Sequence, residues 1–104
     1  MVIRMSINIE STACSVLKQY PVKRAALFGS AARGDMSENS DVDILVEFLP
    51  DTRGLMFFGL RLDLEEALGC SVDLLTFNAL TKAKPGFRQY VEQETRLIYE
   101  YQNA

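Results

Sequence analysis

Three aspartates in two strand-like segments are the side chains of this chain whose types and spacing could do chemistry. Asp41 and Asp43 stand in the segment SDVDILV, and Asp73 stands in SVDLLT. Alternate residues of a strand point to the same face, so Asp41 and Asp43 project side by side. Asp73 joins them if its strand pairs beside theirs in register. Because three clustered carboxylates repel one another unless a cation lies among them, the spacing predicts a site for a divalent metal ion.

A Gly-Ser pair, Gly29-Ser30, precedes the acids at the end of an apolar segment. Gly29 has no Cβ, so its backbone can approach a phosphate group closely. If a helix begins at Ser30, its free N–H groups face the anion and the serine hydroxyl adds a donor. The turn and the acids together predict a site for a nucleoside triphosphate. The alternative is an ordinary turn followed by two solvated acids, Asp41 and Asp43, on an exposed strand edge.

The predicted metal site suits transfer chemistry at phosphorus. Two ions about 4 Å apart can clamp the attacking and leaving oxygens of an in-line displacement. Mg²⁺ prefers such a site because it binds one or two carboxylates together with phosphate oxygens and water. In this scheme Asp73 ligates one ion and can accept a proton from the attacking hydroxyl. Asp73 also argues against the solvated-edge alternative, because an acid in an otherwise apolar strand requires a reason.

The composition excludes several other classes of site. The chain contains no histidine, which removes the Ser/His and Cys/His hydrolase mechanisms and most zinc chemistry. It carries neither the GxxxxGK signature of P-loop proteins nor the GxGxxG of dinucleotide-binding folds. Its net charge of −3 and scattered basic residues argue against a general nucleic-acid binder. Cys14 and Cys70 lie far apart in sequence, so we expect two reduced thiols.

The size and the amino-terminal sequence predict one small cytoplasmic domain. The chain has 104 residues, 48% of them apolar, which suits a single domain over 1–104 with a core over about 9–99. The first twenty residues carry Arg4, Glu10 and Lys18, so we expect no signal peptide. We expect no membrane association either, because no apolar run approaches the roughly 20 residues that span a bilayer.

Apolar periodicity and turn residues predict the element order αβ(α)βαβαβ. The predicted elements are a helix over 9–20 between Asn8 as N-cap and Pro21, a strand over 22–28, a helical turn over 30–33 closed by Gly34, a surface loop over 35–40, a strand over 41–48, a helix over 55–68 ended by Gly69, a strand over 71–77, a helix over 85–94 and a final strand over 96–99.

The helix predicted over 55–68 is apolar around more than one face, with Leu55, Phe58 and Leu62 among its residues. Core packing is the default interpretation of such a helix. The alternative is that part of it covers the surface of a partner protein.

These segments together resemble the DNA polymerase β-type nucleotidyltransferase superfamily. The similarity lies in GSAARG over 29–34, SDVDILV over 40–46 and VDLL over 72–75, and it extends from about residue 10 to residue 99. The small size and the Ala-Arg-Gly after the Gly-Ser resemble the minimal nucleotidyltransferases (MNT) of that superfamily. The resemblance implies an α+β fold like the polymerase β palm, with a mixed sheet of about three to four strands packed by helices.

The resemblance also implies roles for the site residues. Gly29 and Ser30 would hold the β- and γ-phosphates of ATP. Asp41 and Asp43 would ligate both Mg²⁺ ions. Asp73 would ligate one ion and orient or deprotonate the acceptor hydroxyl.

Two further positions of the GSAARG segment are less defined by the resemblance. Arg33 would support the turn or contact a phosphate; alternatively it is a surface arginine or pairs with Asp35 or Glu38. Residue 31 is Ala where many superfamily members carry a larger, often aromatic residue, which affects nucleotide contacts rather than the metal site.

The acceptor of the transferred nucleotide is expected to be a separate protein, because 104 residues hold little beyond the catalytic core. Stand-alone MNT proteins resemble the antitoxins of HEPN–MNT toxin–antitoxin pairs. The resemblance implies a Mg²⁺-dependent protein adenylyltransferase that transfers AMP from ATP to a tyrosine hydroxyl of a HEPN ribonuclease toxin (AMPylation) and inactivates it. Two alternatives stay open: an antitoxin that masks its toxin by binding alone, and nucleotidyl transfer to a small molecule or an RNA end.

Overall fold

The computed structural model describes residues 8–34, 41–82, 86, 89 and 95–101. The helices and strands with defined bounds are, in chain order, α1 Ile9–Leu17, β1 Val22–Phe28, α2 Ser30–Arg33, β2 Val42–Phe48, α3 Leu55–Leu68, β3 Val72–Thr76, α4 Phe77–Thr81 and β4 Arg96–Glu100. Their order confirms the predicted alternation of helices and strands from α1 to β3 and the final strand, whereas α4 was not predicted. In this part of the chain, no helix combines the length and apolarity needed to cross a bilayer.

The described strands form one four-stranded mixed sheet in the order β3-β2-β1-β4. β1 runs antiparallel to both β2 and β4, whereas β2 and β3 run parallel and are connected through α3. The parallel pair requires such a crossover, since a hairpin can join only antiparallel strands. A mixed sheet packed by helices confirms the α+β class that the resemblance implied.

The hydrophobic core lies between one face of the sheet and the helices α1 and α3. On β2, Val42, Ile44 and Val46 are fully buried on this face. α3 contributes Leu60, Leu64 and Leu68 at helical spacing. The opposite face carries a smaller cluster built on Ala26 and Leu45. This alternation along β2 confirms the predicted division between an apolar face and a face that carries the acids.

The ends of α1 show one correct prediction and one error. Asn8 caps the helix as predicted, because its Oδ1 accepts a hydrogen bond of 2.9 Å from the Ser11 backbone N–H. The helix ends at Leu17, however, and not at residue 20. Tyr20 instead lies in the following turn, where its hydroxyl donates a 2.5 Å hydrogen bond to Asp63 of α3. This tertiary contact takes Tyr20 out of the helix that the apolar periodicity predicted.

The segment after β3 also differs from the prediction. β3 ends at Thr76, and α4 begins at Phe77 where the strand was expected to continue. The Thr76 hydroxyl oxygen accepts a 3.0 Å hydrogen bond from the Ala79 backbone N–H, which caps this five-residue helix. Most of the helix predicted over 85–94 lies outside the described residues, although 86 and 89 are helical. The loop predicted over 35–40 lies wholly outside them.

β4 is attached to α1 through a cysteine. Cys14 donates a 2.9 Å hydrogen bond from its thiol to the Ile98 carbonyl oxygen. Burial, with a smaller effect of the Glu10 charge, raises the pKa of the Cys14 thiol above its usual range. Cys14 and Cys70 are both free, as the sequence predicted.

Candidate active site

The pairing of β2 with β3 brings the predicted acids together. The parallel register places Asp43 directly beside Asp73. Asp41 immediately precedes β2 and is exposed, as is Asp73, whereas Asp43 between them is half-buried. The predicted site required a neighbouring strand with its acid in register. The structure meets this condition near the first residues of β2 and β3.

The turn at Gly29 closes against the same acids. Phe28, the last residue of β1, is the antiparallel partner of Asp43. Gly29 has a φ of +67°, which favours glycine. A Cβ placed on Gly29 would lie 2.6 Å from Asp43 Oδ2, closer than such atoms approach. The backbone angle therefore favours glycine at this position, and a larger residue would also require the Asp43 carboxyl group to move.

α2 begins directly after this turn. It spans Ser30–Arg33, and Gly34 follows with a φ of +78°. The structure places the backbone of Ser30 at the first helical position, next to Gly29, as the phosphate-turn interpretation predicted. The side chains of Ser30 and Arg33 lie outside the described part, so their predicted phosphate contacts stay predictions.

Mutual repulsion and burial alter the acidity of the cluster. The pKa of Asp43 is raised to about 6. Burial of the carboxyl contributes most, followed by the Asp73 charge, a side-chain hydrogen bond with Asp73 and the Asp41 charge. Partial burial and the two neighbouring acids therefore both disfavour a charged Asp43 in the protein without a cation.

The donor set fits a hard divalent cation such as Mg²⁺. Carboxylate oxygens are the ligands that this ion prefers, and a cation would favour the charged form of Asp43, which burial and the neighbouring acids disfavour. Among the described residues, no group of three or more His, Cys, Asp or Glu side chains already surrounds a single point as metal ligands.

One residue at the edge of this site was not identified from the sequence. Glu65, on the last turns of α3, accepts a 3.0 Å hydrogen bond from the backbone N–H of Val72, next to Asp73. A glutamate in the Glu65-Glu66 pair of a helix carries no local signal of such a contact. The contact depends on how α3 packs beside β3.

Comparison with known proteins gives consistent matches over this region. The sequence model of the family described as "Nucleotidyltransferase domain" matches residues 9–98. A Methanocaldococcus jannaschii protein provisionally named a protein adenylyltransferase is 46% identical over 77 residues, which make up 73% of this chain and 83% of that protein. Protein adenylyltransferase MntA of Thermococcus cleftensis is 39% identical over 77 residues, or 74% of this chain and 75% of that protein.

Among solved structures, a crystal structure of a toxin–antitoxin with AMP-PNP matches the fold with a TM-score of 0.70 at 26% identity. The match covers 89% of this chain and 74% of that chain. The family match over 9–98 spans all the predicted site residues, from Gly29 before α2 to Asp73 in β3.

Proposed function

Because the chain belongs to the nucleotidyltransferase domain family, we propose that it is a protein adenylyltransferase acting as an antitoxin. It transfers AMP from ATP to a tyrosine hydroxyl of a HEPN-type ribonuclease toxin and thereby inactivates the toxin. The relatives named as protein adenylyltransferases support the transfer to protein. The solved toxin–antitoxin contains AMP-PNP, an analogue of ATP, which supports ATP as the nucleotide.

One structural observation carries the catalytic part of this proposal. The β2–β3 register brings Asp43 and Asp73 side by side beneath the Gly29 turn. Stability alone does not require three acids to lie together beside the Gly29 turn. The arrangement is suited to a triphosphate and the cations that accompany it.

The reaction is a displacement at the α-phosphorus of ATP. The tyrosine oxygen forms a bond to this phosphorus, the bond to the bridging α,β-oxygen breaks, and pyrophosphate leaves. Asp73 accepts the proton of the tyrosine hydroxyl, and its exposed position leaves it open to an incoming side chain. The Gly29 turn and Ser30 hold the β- and γ-phosphates, with no Cβ between the backbone and the anion.

Two Mg²⁺ ions held by Asp41, Asp43 and Asp73 would supply the positive charge that the triphosphate and the departing pyrophosphate require. Asp43, half-buried between its two exposed neighbours, would be the central ligand. The accessible position of Asp41 and Asp73 is consistent with an acceptor presented by another protein rather than enclosed in a pocket of this chain.

Label transfer tests the proposal directly. The protein, the partner toxin, Mg²⁺ and ATP labelled at the α-phosphate are incubated, and the toxin is analysed for labelled tyrosine. We expect label on the toxin, and a loss exceeding the about 100-fold typical of an outer-shell change when Asp43→Asn removes the central ligand. Glu47→Gln is the matched control, because Glu47 lies on the same strand and the same face as Asp43 but pairs with Arg24.

A second candidate function is supported by the surface of α3. Leu55, Phe58 and Leu62 are 78%, 57% and 57% exposed. An apolar stripe of this kind is typical of a surface that another protein covers, so an antitoxin could mask its toxin by binding alone. Neutralisation of the toxin without label, unaffected by Asp43→Asn, would establish this function in place of catalysis. Label on a small molecule or an RNA end would instead show a different acceptor.

A further inference from the structure

The edge of the sheet beside Asp73 is closed by a side chain rather than by another strand. β3 is the end strand of the described sheet and pairs only with β2. The Val42 N–H donates a 3.0 Å hydrogen bond to the Ser71 carbonyl oxygen. In a parallel pair, alternate residues bond to the partner strand, so the N–H of Val72 points away from β2. This outward N–H donates to Glu65 Oε2 at 3.0 Å.

Glu65 is itself held in place by its own helix. Its Oε2 lies 3.5 Å from Arg61 Nη1, one helical turn earlier, and its side chain is 26% exposed. Its backbone carbonyl oxygen accepts a 2.9 Å hydrogen bond from the Gly69 N–H where α3 ends. Glu65 therefore contacts both ends of the short connection between α3 and β3.

We propose that Glu65 is a positioning residue that holds Asp73 in register with Asp43 by fixing the Val72 backbone N–H. The proposal deepens the proposed function and rests on it. An edge strand is held from one side only, and Asp73 lies opposite another acid, which repels it in the absence of a cation. The Glu65 hydrogen bond supplies the second attachment, one residue before Asp73, and keeps its carboxylate where the metal and the acceptor meet.

The test compares Glu65→Ala with Glu65→Gln and with Glu66→Ala. The glutamine keeps an oxygen that can accept from Val72, whereas the alanine does not. Glu66 is the exposed neighbour on the same helix and serves as the matched control. The readouts are Mn²⁺ binding by calorimetry, exchange of the Val72 amide proton by NMR, and the rate of AMP transfer.

Glu65→Ala should speed exchange of the Val72 amide and weaken Mn²⁺ binding about 10-fold, the lower range for loss of an outer-shell partner. AMP transfer should show a matching rise in the Mg²⁺ concentration for half-maximal rate. The Mn²⁺ affinity of Glu65→Gln should stay within about 3-fold of that of the wild type. The Mn²⁺ affinity of Glu66→Ala should equal that of the wild type. This rescue by the amide distinguishes an accepted hydrogen bond from a requirement for charge.

Mn²⁺ affinity in folded Glu65→Ala equal to that in Glu66→Ala would overturn the proposal, even if the amide exchanged faster. If Glu65→Ala does not fold, the exchange rate of the Val72 amide in the wild type and in Glu65→Gln tests the proposal. A Val72 amide that exchanges as fast as a solvent-exposed one contradicts the proposal, and slow exchange with rescue in Glu65→Gln supports it. A wild-type protein that neither binds Mn²⁺ nor labels the toxin would refute the proposed function itself, an outcome distinct from failure of Glu65 alone.

Discussion

The two faces of β2 serve opposite purposes within seven residues. On the face toward α1 and α3, Val42, Ile44 and Val46 are fully buried. On the other face, Leu45 is buried as well, but Asp43 is half-buried and Glu47 is paired with Arg24. Because strand side chains alternate, one stretch of backbone can be held by the core while it presents charged groups to a substrate.

The comparison shows where stability and chemistry are located. Among the described residues, every buried side chain is apolar, and none is polar or charged. The acid face instead brings together carboxylates whose repulsion opposes folding in the absence of a cation. The core face must therefore hold the strands in register against the acids, and substitutions on the two faces should have separable effects.

The largest effect on stability is expected on the core face. Leu64→Ala, at a fully buried position of α3, should lower the free energy of unfolding by about 2–5 kcal/mol, because it leaves a cavity under the sheet. The fraction that stays folded should transfer AMP at the wild-type rate. Urea unfolding measures the first quantity, and labelled ATP measures the second.

Leu62→Ala is the matched control for that change, since Leu62 lies on the same helix but is 57% exposed. It should change the free energy of unfolding by no more than about 0.5 kcal/mol. Equal losses at positions 62 and 64 would contradict the assignment of the core to one side of α3.

Gly29→Ala should sharpen the comparison from the acid face. Its Cβ would meet Asp43 Oδ2 at 2.6 Å, so the carboxyl group of the proposed central ligand must move, and AMP transfer should fall at least about 100-fold, the upper range for loss of an outer-shell partner. Gly34→Ala is the control, because Gly34 also has a positive φ but no atom lies within 4 Å of its Cβ position.

Both glycine variants should lose about 1–2 kcal/mol of stability from the left-handed backbone, measured by urea unfolding. They should differ in transfer rate, since only Gly29→Ala displaces an acid. Similar rates in the two variants would show that backbone strain, and not contact with Asp43, explains the requirement for glycine at position 29.

The elements around the site were predictable because local signals agreed with the final packing. The bounds of β1, α2 and α3 were predictable because a glycine follows each element directly. Gly69, for example, ends α3 with a φ of +72°, a conformation that glycine adopts without strain. The pairing of Asp43 with Asp73 could be predicted only on the condition that β3 lies beside β2. Strand alternation defines the face on which a side chain lies but not which strand is the neighbour.

The sequence prediction missed two long-range contacts and one local helix cap. Tyr20 matched the helical period of α1, but it lies in the turn after the helix, where it bonds to Asp63 of α3. The helix α4 was missed, although Thr76 is a residue type that caps helices and could have indicated it. Glu65 shows the limit most clearly, since its contact with Val72 depends on the placement of α3 beside the sheet edge.

The smallest expected effect is a dependence of stability on pH that originates in the acid face. The pKa of Asp43 is about 6 in the folded protein against 3.8 for a free carboxyl. The folded state therefore binds more protons than the unfolded state between these values. The stabilisation from this proton is complete below about pH 4 and is lost as the pH rises through about 6.

Asp43→Asn tests this sign because it removes the titrating group and its repulsion from Asp41 and Asp73. In metal-free buffer, the variant should be more stable than wild type at pH 7.5, and the difference should shrink toward pH 4, as measured by thermal unfolding. Glu47→Gln should keep the wild-type dependence. Mn²⁺ at pH 7.5 should stabilise the wild type but not Asp43→Asn, because it binds the folded site. A wild type more stable than Asp43→Asn at pH 7.5 without metal would mean that the acids do not oppose folding, and the two faces of β2 would then not differ in the way described.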